Sequence, residues 1–360
     1  MNQPAWKVSC SILWLCAMFC LISCSGKERQ IQKGTLDEQN CQVVVQSAWG
    51  DNSGEVGYAE QYGTVPPEGP TVMKVDVEGN IYIVDKYNYR VAEFDASGNF
   101  VRDYQPSALP DKGWIEDVAI HADGRVALGI MTPRWHLTSI HVLDRTTREL
   151  INVLEWEHET GKYHSGLVTF GRDVQADLWG NVYACFSETY YDDHSQHHPG
   201  VILQYNKEDH GSEFWQGYWE TFIPGWDGFD YIHLSGLTRE GGPHNEQIIQ
   251  IDQQGNVVNE ILIETDQLAD AGIDRLGTLL GVDEKGTMYF REMVWGENVN
   301  QEIFTQVISS SEIASIVEMR VATSPYHVAR TVDKDGNIYI IHYDRYLIPN
   351  EPFEIWRCSP

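Results

Sequence analysis

Positive charge is scarce in this chain. Its 360 residues carry 25 Lys and Arg against 53 Asp and Glu, a formal net charge of −28. A nucleic-acid partner needs a basic footprint to neutralise phosphates, so this balance argues against one. The acidity reads instead as a soluble, self-repelling surface. Linear catalytic signatures are missing as well: there is no Gly-x-Ser-x-Gly elbow, no Cys-x-x-Cys pair, no phosphate-binding glycine loop and no His-Glu-x-x-His zinc helix. These absences exclude enzyme classes whose site is written in one segment. They leave open any site assembled from several. Long apolar runs are lacking too, since Val8 to Ile22 is too short and too weakly flanked for a stable spanning helix.

What the chain does have is apolar and aromatic bulk. Hydrophobic residues make up 42% and charged ones 22%, which fits a packed core. The 12 Trp and 18 Tyr favour strands or a binding surface over a helical bundle.

At the N-terminus a single cation, Lys7, precedes the apolar run, which ends in Leu21-Ile22-Ser23-Cys24. This stretch resembles the lipobox of bacterial lipoproteins, with an apolar residue three before the Cys and a small one just before it. The resemblance implies cleavage before Cys24 and lipidation of its thiol. Several acyl chains would then hold the protein in the membrane, each buried CH₂ contributing about 0.8 kcal/mol. An uncleaved anchor or an ordinary signal peptide is the alternative. Ser25 follows the Cys, and in the same family this implies outer-membrane residence, with the face left open. The organisation expected is a signal peptide over 1–23, a lipidated Cys and polar tether over 24–40, and one folded domain over 41–360. Cys10, Cys16 and Cys20 leave with the signal, so Cys41, Cys185 and Cys358 remain in an oxidising compartment. An odd number predicts one bridge and one buried thiol.

After the tether one pattern recurs: an apolar strand, a turn ending in Gly, and an alternating strand. Val75-Asp76-Val77-Glu78-Gly79-Asn80-Ile81-Tyr82 and Val332-Asp333-Lys334-Asp335-Gly336-Asn337-Ile338-Tyr339 are its clearest copies. Further copies turn at Gly124, Gly180 and Gly286, and a degenerate one is expected near Asp227-Gly228. Acidic or amide residues before a Gly suit a tight hairpin that needs positive φ. A second hairpin follows in several copies, as in Phe94-Asp95-Ala96-Ser97-Gly98-Asn99-Phe100. Two hairpins per unit make a four-stranded antiparallel sheet, which is a propeller blade. The fold class is therefore all-β, a six-bladed β-propeller.

Asp85-Lys86-Tyr87-Asn88-Tyr89-Arg90-Val91 resembles the consensus of NHL-type six-bladed propellers, in which Asn-x-Arg-Val precedes the third strand. The later repeats depart from it. In that architecture the last blade, which here ends at its third strand, borrows a fourth from the N-terminal segment Gln42 to Ala48. Cys41 and Cys358 would then meet at the end of adjacent strands, and a disulfide between them is expected.

Propeller sites collect one residue per blade. Glu116 and Asp117, Arg172 and Asp173, and His327 all stand just before an apolar run. Brought to one rim they would bind a small ligand or a Ca²⁺ ion, or else pair with one another or with solvent. The loop holding Asp193, His194, His197 and His198 has the donor types for Zn²⁺, or is a solvated loop. Eight aromatics between Phe214 and Tyr231 form either a stacking platform or inter-blade packing. The function expected is a non-catalytic binding module at the envelope, for a glycan, peptide or partner protein. The alternative is a metal-dependent propeller enzyme of the lyase or lactone-hydrolase type, by analogy of fold alone.

Overall fold

The computed structural model describes residues 32–35, 41–60, 67–109, 113–121, 123–131, 137–144, 147, 149–155, 170–187, 200–205, 212–217, 221–235, 245–263, 268, 276–294, 301–308, 312–320, 330–343 and 348–359. Cys24, His327 and the His194–His198 loop lie outside these.

Two strands precede the repeats, β1 (Gln32–Thr35) and β2 (Cys41–Ser47). The first sheet holds β3 (Met73–Val75), β4 (Ile81–Asp85), β5 (Arg90–Phe94) and β6 (Phe100–Tyr104). The second holds β7 (Trp114–Ile120), β8 (Val126–Met131), β9 (Leu137–Leu143) and β10 (Leu150–Glu155). The third holds β11 (Phe170–Ala176), β12 (Val182–Ser187), β13 (Gly200–Tyr205) and β14 (Ser212–Gly217). The fourth holds β15 (Thr221–Pro224), β16 (Asp230–Ser235), β17 (Glu246–Ile251) and β18 (Val257–Ile263). The fifth holds β19 (Thr278–Val282), β20 (Met288–Val294), β21 (Gln301–Ile308) and β22 (Glu312–Arg320). The last holds β23 (Arg330–Val332), β24 (Ile338–His342) and β25 (Phe353–Cys358), completed by β2.

Within each sheet the strands that follow one another in the chain pair antiparallel, and β2 and β1 add to the outer edges of the last and the fifth sheets. The first strands of the sheets touch in a closed cycle: β3 against β7, then β11, β15, β19, β23, and β23 back against β3. Between every two neighbouring sheets lies a separate apolar cluster. Ile83 and Ile355 meet between the last sheet and the first, and Tyr183 and Phe222 between the third and fourth. The result is an all-β propeller of four-stranded antiparallel blades, with its core divided among the blade interfaces.

Five sheets have four strands, and the fifth in chain order has an additional one. That strand is β1, which runs parallel to β22 with Gln32 opposite Ser315. The segment expected as a plain tether thus contributes a strand, because the outer edge of β22 offers unpaired backbone groups for a further strand.

Ring closure follows the expected course. β2 pairs antiparallel with β25, Cys41 stands opposite Cys358, and a disulfide joins them at an S–S distance of 2.05 Å. Cys185 is buried and stands outside this bridge. The outer hairpin of the first sheet presses on this closing strand. A Cβ on Gly98, which has φ +82°, would stand 1.5 Å from the Val44 carbonyl oxygen.

Candidate functional site

The repeated Asp of the inner hairpins is a turn former. Asp76 Oδ1 accepts the backbone N–H groups of Glu78 at 2.9 Å and Asn80 at 2.8 Å, and its Oδ2 accepts from Asn80 Nδ2 and the Tyr82 hydroxyl. Asp177, Asp283 and Asp333 repeat this, each taking the hydroxyl of the Tyr six residues on. A short carboxylate that captures its own downstream amides fixes the turn. The Gly that follows supplies positive φ at Gly79, Gly124, Gly180, Gly228, Gly286 and Gly336. The buried tyrosines keep their protons, since burial and the adjacent carboxylate push the phenols of Tyr82 and Tyr289 up. These carboxylates therefore hold the scaffold.

The stretch that resembles the NHL consensus has a similar role. Buried Arg90 donates from Nε to Asp85 Oδ2 at 3.0 Å, and from Nη2 to the carbonyls of Asn52 at 3.0 Å and Glu55 at 2.8 Å. It fastens the crossing from β2 to β3 onto the first sheet.

Glu116, Arg172 and Leu280 each fall where the register of an inner strand slips, in β7, β11 and β19. Such bulges re-aim the residues around them. Glu116 accepts from the Trp114 indole at 2.9 Å. Asp117 is buried rather than set on a rim. Its Oδ1 accepts its neighbour Val118 N–H at 2.8 Å, and its Oδ2 accepts Val174 N–H at 2.6 Å, joining the second sheet to the third. Arg172 and Asp173 lie in β11, with Asp173 opposite Cys185; their side chains, His327, and the whole of Asp193, His194, His197 and His198 are outside the described residues. Among the described residues no group of three or more His, Cys, Asp or Glu is placed to hold a metal ion.

Inside the ring the inner strands enclose a cavity of about 240 Å³. Its wall takes one residue from each sheet at the position two before the inner turn: Lys74, Ala119, Gln175, Ile223, Gly281 and Thr331. Lys74 Nζ donates to Gln175 Oε1 at 3.2 Å and stands 3.8 Å from Asp117 Oδ2. Thr221 and His121 also line it, and Thr221 Oγ1 and His121 Nε2 are buried with no hydrogen-bond partner among the described residues. Burial, reinforced by the Arg125 guanidinium, pushes His121 down to about 4, so its imidazole is neutral. At the turn end, Trp226 reaches from the fourth sheet to the last, where its indole N–H donates to the Val332 carbonyl at 3.0 Å.

The aromatic stretch divides along the same line. Phe222 and Tyr231 are buried in blade contacts, while Trp226 faces the channel. Phe214 and Trp215 lie in β14, and Tyr218 and Trp219 lie outside the described residues. Lys74, Gln175 and Thr221 belong to no motif and no charged pair in the sequence. The signal was present: aligning the repeats on their turns puts Lys74 and Gln175 in the same column.

No family's sequence profile matches the chain, and no curated protein matches it. Solved structures do. A member of the DUF4221 family from Bacteroides vulgatus is 11% identical, over 89% of this chain and 98% of that one, at a TM-score of 0.50. Regucalcin from Agrobacterium tumefaciens, a calcium-binding protein, is 14% identical over 92% and 96%, at 0.44. A gluconolactonase from Xanthomonas campestris is 8% identical over 88% and 97%, at 0.45. At these identities the likeness is one of fold.

Proposed function

We propose that this chain is a lipid-anchored protein of the bacterial envelope, whose six-bladed, NHL-type propeller binds a ligand in its central channel. The observation that supports binding is how the polar groups are shared out. Asp76, Asp177, Asp283, Asp333, Asp85 and Arg90 are engaged in holding turns and crossings. Lys74, Thr221 and His121, on the channel wall, keep hydrogen-bonding capacity. A concave site with a few such groups among apolar ones is the usual form of a small-ligand pocket. Envelope glycans, peptides or proteins are the partners proposed for the loops around the ring, and the outer membrane is the proposed location. The enzyme reading, with Ca²⁺ or Zn²⁺ held by Asp117, Asp173 and His327, is the rival.

Two measurements test this. Cys24→Ala is expected to move the full chain from the detergent phase to the aqueous phase on partitioning; unchanged partition would overturn the anchor. Elemental analysis of the full chain, purified without chelator, decides between binding module and metalloenzyme. Stoichiometric metal that is lost in Asp173→Ala or His327→Ala would favour the enzyme.

A further inference from the structure

We propose that the channel takes a small monoanionic carboxylate, with the Lys74 ammonium as its charge partner and the Thr221 hydroxyl as a neutral donor. This rests on the channel-binding reading above and adds the ligand's chemical class.

Among the described residues lining the cavity, Lys74 is the only Lys or Arg. One of its N–H groups goes to Gln175, and 3.8 Å to Asp117 is beyond hydrogen-bonding reach. Two of its three donors thus have no protein acceptor among the described residues. Asp117 cannot turn fully to this amine, because its oxygens hold the Val118 and Val174 amides. The carboxylates of Asp76 and Asp177, also on the wall, each receive four donors from their own turns.

Hydrogen bonding points the same way. Thr221 is only 6% exposed, and its hydroxyl is without a partner among the described residues. A buried hydroxyl left unpaired is costly, and an acceptor on a ligand relieves that cost. An ammonium plus a hydroxyl presents donors to a ligand that brings acceptors. A carboxylate is such a ligand.

Size and form narrow the class. With Asp117 ion-paired to Lys74 at 3.8 Å and Asp76 and Asp177 on the wall, the ammonium can offset no more than one further negative charge. A phosphate dianion is better served by an Arg fork or a helix N-terminus, and neither is among the described lining residues. A cavity of about 240 Å³ has the volume of about eight waters, which fits a short-chain acid. Its carbon chain would lie against Val75, Ile120, Ala176 and Ile223.

Calorimetric titration of the full chain with butyrate, lactate and the neutral isostere butyramide is the test. At least one acid is expected to bind one to one, with butyramide weaker by about tenfold or more. Lys74→Gln should weaken the acid by about tenfold, and Lys74→Arg, which restores the charge, should recover most of that. Near-UV circular dichroism checks that both variants are folded. Butyramide binding as tightly as the acids, or Lys74→Gln binding them unchanged, would overturn the carboxylate class and leave the channel as a binding site. Silence from all three probes would overturn the class and the channel-binding reading together.

Discussion

Asp230 is fully buried where the third sheet meets the fourth. Its Oδ2 accepts the Tyr183 hydroxyl at 2.9 Å, and its Oδ1 has no partner among the described residues. Burial, offset in part by the Tyr183 hydrogen bond and reinforced by Asp177 and Asp227, pushes its pKa up to about 8. A carboxyl raised in the folded state binds its proton more tightly there than in the unfolded chain. Its contribution is therefore complete below the unfolded value of 3.8 and is lost as pH rises through about 8. His121, pushed down to about 4, acts oppositely and withdraws stability only as pH falls below about 6.5. Between pH 6.5 and 8 the Asp230 effect is no longer opposed by His121. Denaturant melts are expected to lose about 2 kcal/mol across that window, and Asp230→Asn should flatten the loss. An equal loss in the variant would assign the pH dependence elsewhere. At this scale the sequence was half legible. The turn Asp and Gly could be read because their bonds are local, to residues two to six places on. The link that Asp117 makes between two sheets was not legible, because the Val174 amide is brought to it only by the neighbouring sheet.

Among the elements, β2 decides whether the ring is closed. It fills the outer place of the last sheet, buries Val45 at the interface with the first, and carries Cys41. The bridge to Cys358 spans 317 residues, so in the chain-entropy view it removes a large part of the unfolded chain's freedom. Replacing both cysteines by Ser is expected to cost about 4–5 kcal/mol in unfolding free energy, near the top of the range for disulfides. Because β2 still pairs with β25, the doubly substituted ring should remain folded, with unchanged far-UV circular dichroism. A double variant as stable as the parent would show that strand pairing alone keeps the ring shut. The hairpin repeats were legible as elements because alternation and Gly spacing are properties of neighbouring residues. Gln32–Thr35 was not, since three polar residues and a glycine have no periodicity, and their strand exists only against the edge of β22.

For the whole molecule, the inner strands from six sheets meet around one cavity while the apolar core lies between the blades. The fold class could be read from the repeat. The site could not, because a ring brings together residues about fifty positions apart, and only the turn-aligned column shows that they share a wall. The claim that this wall is where a ligand sits is tested most directly by hydrogen–deuterium exchange of the full chain, with and without saturating butyrate. Slowed exchange is predicted in β3, β11 and β15, the inner strands that carry Lys74, Gln175 and Thr221. Protection confined to the outer strands and surface loops, with those three strands unchanged, would contradict it.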